Sequence, residues 1–245
     1  MTIAEKLQRV KTDIDNAYAT GYENGRAEGI TEEEAYNNGF EAGKQAEYND
    51  FWDNYQQNGE RTDYAYAFAN VGWNDDNFIP KYNMSATKVN QMFCYSGITD
   101  LKGILERQGV TLDTSKVTSF DQFCFTSSIT HLPPLDVSSS TTFSQAFRGS
   151  KALVSMRLEN IPETANFSLA FTDVKNLTDF SCTGTIGNDF NFAYSSNLTH
   201  DSLMNIINCL ITTSTTKTLK LHATAKAKLT DAEIAIATEK GWTIA

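Results

Sequence analysis

Residues 143–158 read FSQAFRGSKALVSMRL and residues 167–182 read FSLAFTDVKNLTDFSC. Set one over the other, twenty-four residues apart, they share Phe, Ser, Ala-Phe, Lys and Leu in register, and apolar residues match where identity stops. A chain repeats such a unit when one copy cannot bury its own apolar side. Stacking then requires the inward residues of each copy to lie over those of the next.

The same spacing extends in both directions. The last apolar residue of each unit falls at Leu112, Leu135, Leu158 and Cys182, intervals of 23, 23 and 24. Tyr82 lies 30 before Leu112, and removing Gly103 to Gly109 (GILERQG) as a seven-residue insertion restores 23. A first apolar position recurs as Val89, Phe120, Phe143, Phe167 and Phe190, and a second as Phe93, Phe123, Phe147, Phe171 and Tyr194. The strand-like parts are Ile98–Leu101, Ile129–Leu132, Leu153–Leu158, Leu177–Cys182 and a degenerate Leu198-Thr-His.

A period of 20 to 29 residues carrying L-x-x-L-x-L is that of leucine-rich repeats. The spacing therefore predicts an α+β fold: a leucine-rich repeat solenoid of about five 23–24-residue coils, with an N-terminal helical segment and a C-terminal α/β cap. The segments from Ala146, Ala170 and Met92, with L-D-T-S-K-V-T-S-F and L-D-V-S-S-S-T-T-F, resemble the BspA-like leucine-rich repeats of bacterial surface proteins over residues 82–221. The chain departs from that family in showing no export signal and in varying the residue after the Ala-Phe pair. The helix around Ala17–Gly29, the segment Phe51–Gly59 and the tail Lys228–Ala245 resemble parts of repeat proteins encoded by phages and prophages of gut Firmicutes. That likeness implies a tail-associated protein.

The expected divisions are residues 1–58, 59–81, 82–200 and 201–245. In the first, Ile3, Leu7, Val10, Ile14 and Ala17 alternate by four and three, the spacing of a coiled-coil seam. Two glycine-bearing segments eighteen residues apart put small residues on one face, since that interval is five helical turns. Something must pack on them, which leaves self-association into a homo-oligomer and an intrachain helical hairpin both open. Residues 59–81 are dense in aromatics and read as a cap on the repeats, with a sugar-binding platform as the sharper alternative. In the last division a helix from Asp201, a strand at Thr218–Leu221, a helix opened by Thr230 and a strand at Trp242–Ile244 would cover the end of the stack.

Formal net charge is -10. The first sixty residues hold five Lys or Arg against thirteen Asp or Glu, net -8, which leaves -2 for the remainder. With no basic cluster, nucleic acid is not an expected partner. No stretch is long and apolar enough for membrane insertion, and the opening MTIAEKLQRVKTD carries no apolar h-region, so no signal peptide is expected. Synthesis in the cytoplasm is expected, followed by action on a virion or an extracellular surface. The four cysteines are 30, 58 and 27 apart, neither a CxxC metal pattern nor a small disulfide framework. They read as reduced core thiols.

Nucleophile, metal and phosphate motifs are missing, so no enzyme activity, cofactor or metal is expected. Asp75-Asp76 reads as a turn before it reads as a calcium loop. One column stands out. Asp100, His131, Ser155, Asp179 and His200 precede the second apolar residue of each strand-like part, beside Thr99, Thr130, Val154, Thr178 and Thr199. With Arg157 and Ser181 these form the expected ligand face. The function expected is non-enzymatic recognition or adhesion, on a phage or prophage tail, with a protein or cell-surface glycan as partner. A bacterial surface adhesin is the alternative. A glycan-active enzyme is the further alternative, set back because Asp100 and Asp179 would be separated by two coils, roughly 14 Å, too far for a glycosidase pair.

Overall fold

The computed structural model describes residues 62–69, 73–76 and 78–245. The chain divides after Glu60, and the expectations for residues 1–58 lie outside the described residues.

Eight short strands and four helices are found among the described residues. The strands are β1 (Met84–Ser85), β2 (Leu112–Asp113), β3 (Leu135–Asp136), β4 (Ser155–Ile161), β5 (Asp179–Gly184), β6 (Phe190–Phe192), β7 (Lys217–Leu221) and β8 (Trp242–Ile244). The helices are α1 (Leu101–Gln108), α2 (His200–Cys209), α3 (Ala223–Lys226) and α4 (Asp231–Glu239). All strand pairing is parallel, in three separate sheets ordered β1-β2, β3-β4-β5 and β6-β7-β8.

This corrects the expected fold class. The chain forms a small α/β fold with short parallel sheets rather than an α+β leucine-rich repeat solenoid with one five-strand ladder. The interruptions have local causes. Pro133 and Pro134 follow Leu132, and without backbone N–H groups they cannot carry a strand through. The Ile129 segment is accordingly reduced to a single bridge, His131 to Ser155. At Asp100 the side chain accepts from the Gly103 N–H at 3.0 Å, which starts α1, and Gly109 ends it at φ 63°. The segment taken for an insertion is thus most of a helix, and β2 pairs with Met84, 28 residues back from Leu112, not with Tyr82. At the other end Thr199 accepts from the Ser202 N–H and starts α2, which begins one residue before the helix expected from Asp201 and ends the degenerate Leu198-Thr-His part.

The two opening segments do lie one on the other. Leu158 pairs with Leu135 on one side and Cys182 on the other. Phe143, Gln145 and Phe147 donate their N–H groups to Asn166, Ser168 and Ala170 at 2.9, 3.1 and 3.1 Å. The first aromatic column stacks Phe120 on Phe143 at 5.3 Å, Phe143 on Phe167 at 4.4 Å and Phe167 on Phe190 at 4.6 Å. In the second, Phe147 lies 5.4 Å from Phe171, and Phe171 continues to Phe192 at 4.6 Å. Tyr194, expected in that column, is exposed. Each turn uses the same two left-handed positions, Gln91 and Tyr95, Gln122 and Thr126, Gln145 and Gly149, Leu169 and Asp173. Matching those positions puts Cys124, rather than Phe123, in the place of Phe93 and Phe147.

The described residues between 62 and 81 pack by their rings. Phe68 and Phe78 are fully buried, 4.8 Å apart, and Phe68 stacks on Phe93 at 5.4 Å. Asp75 accepts from the Thr99 N–H at 2.6 Å, so its carboxylate ends a backbone ladder. In the last part, α4 opens with a capping box of Thr230 and Glu233, and β8 runs beside β7 with Thr218 opposite Thr243. Among the described residues no helix is long and apolar enough to cross a membrane.

Candidate functional site

The threonine-rich column beside the expected ligand face is continuous. Thr130 donates its N–H to Thr99 O, Val154 to Thr130 O, Thr178 to Val154 O and Thr199 to Thr178 O, all at 2.8–2.9 Å. This ladder sets the residues that follow it one above another.

Three of the five expected column members are stacked. His131 bridges Ser155, and Ser155 pairs with Asp179. The two ends are diverted by the helices. Asp100 is spent on capping α1: Gly103 N–H and the Arg107 guanidinium, at 2.9 Å, occupy its two oxygens. His200 is the first residue of α2 and faces Glu233 of α4, Nε2 to Oε1 2.8 Å. The Arg107 hydrogen bond, then the Gly103 N–H and the nearby charges of Arg107 and His131, hold the Asp100 carboxyl below its ordinary 3.8 against a smaller effect of burial. A depressed folded-state pKa stabilises the fold above the ordinary value and loses that effect as pH falls through the folded value. Asp100→Ala is therefore expected to cost about 1 kcal/mol of stability at neutral pH in urea unfolding, and less near pH 3.

Arg157 and Ser181 extend the face along the strands, paired directly across β4 and β5. Together Ser155, Arg157, Asp179 and Ser181 form the floor of an open cleft of about 520 Å³. Its walls are two helices: Lys102 from α1 on one side, Asp201 and Asn205 from α2 on the other. The side chains of α2 also close the edge of β5. Ser202 Oγ accepts from Phe180 N–H at 3.0 Å and Asn205 Oδ1 from Cys182 N–H at 2.6 Å. A parallel edge strand otherwise presents free donors to any passing chain. Here the donors are held, and the cleft floor offers side chains instead of backbone.

The charges in the cleft are mixed and wet. Arg157 pairs with Glu159 at 2.8 Å, with about half of its side chain exposed, and Lys102 sits 3.9 Å from Glu106 on its own helix. Asp179 accepts from Thr178 Oγ1 at 2.8 Å and is otherwise exposed. Exposed pairs of this kind contribute about 0–1 kcal/mol and exchange partners readily. The aromatic ring lining the cleft, Phe180, is 1% exposed, so its floor offers no ring face for stacking. Among the described residues no group of three or more His, Cys, Asp or Glu could hold a metal ion.

Sequence reading did not single out Lys102, Asp201 and Asn205: Lys102 lies on a helix where an insertion was expected, and Asp201 and Asn205 lie on a helix that was expected only as part of a cap. The signals were present in Asp100-x-x-Gly103 and Thr199-x-x-Ser202, both N-cap spacings. Compared with protein-family models, curated proteins and solved structures, the chain shows no match.

Proposed function

We propose that this chain is a non-enzymatic recognition protein that holds its partner in the cleft of Ser155, Arg157, Asp179 and Ser181. The observation that carries the reading is that four residues expected on a ligand face share one cavity with Lys102 and Asp201, giving two cations and two carboxylates around a polar floor. Opposite charges at fixed spacing select a partner by complementary charge more than by buried area. A protein segment presenting both signs fits that arrangement better than a neutral glycan, which gains most from an exposed ring. The resemblance of residues 17–29, 51–59 and 228–245 to phage- and prophage-encoded repeat proteins supports a place on a phage particle.

The test is binding of the full chain to arrayed mixed-charge peptides, arrayed glycans and gut bacterial cells. Peptide or cell-surface protein binding is expected, weakened about tenfold or more by Arg157→Glu and by Asp179→Lys, with screening by salt. Glycan-selective binding would replace the protein partner. Binding unaffected by either substitution would remove the cleft from the account.

A further inference from the structure

We infer that Cys182 and Cys209 are a modification site: a thiol pair that closes reversibly to a disulfide under a peroxide, tying helix α2 to strand β5. The inference stands apart from partner binding and would hold for any occupant of the cleft.

The geometry begins with the strand edge. Asn205 grips the Cys182 N–H at 2.6 Å, and Cys209 lies one helical turn further along α2. That turn brings the Cys209 thiol onto Cys182, where Sγ donates to the Cys182 carbonyl at 3.3 Å. The environments differ. Cys182 is 2% exposed on the core face of β5, whereas Cys209 is half-buried at the end of its helix. Beside it Lys240 reaches across from the end of α4, its Nζ donating to Ile207 O and Asn208 O at 2.9 and 3.0 Å. A cation placed there offsets the negative end of α2 and favours a thiolate.

The two thiols divide the roles accordingly. The neighbouring Cys182 thiol, with the Lys240 charge, brings Cys209 down to about 7 against the opposing effect of burial. The Cys209 side chain, with burial, pushes Cys182 up and keeps it protonated. The half-buried Cys209 is thus the sulfur that a peroxide meets as a thiolate, and Cys182 the one that resolves it.

The chemistry balances as follows. The Cys209 thiolate attacks one oxygen of hydrogen peroxide and the O–O bond breaks. Sulfur is oxidised to the sulfenic acid, peroxide is reduced, and the departing hydroxide takes up a proton as water. Cys182 sulfur then attacks Cys209 Sγ, the S–O bond breaks, and the Cys182 proton leaves with the hydroxide as a second water. Two thiols and one peroxide give one disulfide and two waters. A dithiol reverses the step by exchange.

Cys94 and Cys124 are a built-in control. They also lie close together, but both are buried and burial raises both thiols, so neither is placed to start the reaction.

The experiment treats the full chain with a small excess of hydrogen peroxide, blocks remaining thiols and maps peptides without reduction. The expected product is a monomer that has lost two hydrogens, with the Cys182 and Cys209 peptides linked, Cys94 and Cys124 alkylated, and the link removed by dithiothreitol. Its thermal midpoint should rise by roughly 5 °C, because the link closes a loop in the unfolded chain. Cys209→Ser should abolish the link and Cys94→Ser should leave it. The wild-type map needs no variant to fold. Retention of four free thiols, a link between other cysteines, or a Cys209 link between two chains would each overturn the inference.

Discussion

Replacing Phe171 by alanine is expected to lower the unfolding free energy by about 3–5 kcal/mol, the range for a large buried aromatic. Phe171 lies within 4.6–5.8 Å of Phe147, Phe180, Phe190 and Phe192 and 6.3 Å from Phe167, and is 1% exposed. Rings from consecutive units meet at this residue, so the cavity cannot be closed by one neighbour relaxing. Leu169, two residues earlier in the same unit, is 53% exposed and held at φ 57°. Leu169→Ala removes no core contact, and its effect should stay within about 0.5 kcal/mol. Urea unfolding of the two variants separates repeat packing from general sensitivity of the segment. Equal losses would contradict it.

Gly184→Ala should be nearly as damaging for a different reason. Gly184 ends β5 at φ 90°, opposite a register shift between Leu158 and Ile161 in β4. A Cβ built there would lie 2.3 Å from Ile161 N and 2.4 Å from Ile161 O, both backbone atoms that cannot swing away. Backbone strain of about 1–3 kcal/mol adds to overpacking of about 1–3 kcal/mol, so a loss of about 2–6 kcal/mol is expected. Gly109 at φ 63° has nothing within 4 Å of its would-be Cβ. Gly109→Ala should therefore show conformational strain alone, about 1–2 kcal/mol. A Gly184 variant no less stable than the Gly109 variant would mean that the two strands do not approach this closely.

What the repeat made legible is what depends on side-chain volume. The anchors Leu135, Leu158 and Cys182 pair as their spacing implies, and Phe120, Phe143, Phe167 and Phe190 stack in turn. The helix from His200, the helix opened by Thr230 and the strand at Trp242–Ile244 also lie where capping and apolar pattern put them. What stayed hidden depends on single hydrogen bonds. Ile98-Thr-Asp-Leu101 and Ile129-Thr-His-Leu132 look alike, yet Asp100 captures an amide and begins a helix while His131 makes one strand bridge. Two prolines then stop that strand from lengthening. These small choices divide the pairing into three sheets and defeat the continuous ladder. They also build the α1 wall of the cleft, so the floor of the site and the α2 helix were legible and the α1 wall was not. The Cys182 and Cys209 pair was hidden for a related reason: a separation of 27 residues carries no motif, and only the placement of α2 brings the sulfurs together.

The claim that matters most is that a partner sits in this cleft, and carboxylate footprinting tests it at the side chains concerned. The full chain is labelled with a carbodiimide and an amine nucleophile, alone and with the tightest peptide from the mixed-charge array. Asp179 and Asp201 should lose most of their labelling in the complex, while Glu163 and Glu239, exposed elsewhere on the surface, keep theirs. Unchanged labelling of Asp179 and Asp201, with protection at Glu163 or Glu239, would contradict the account.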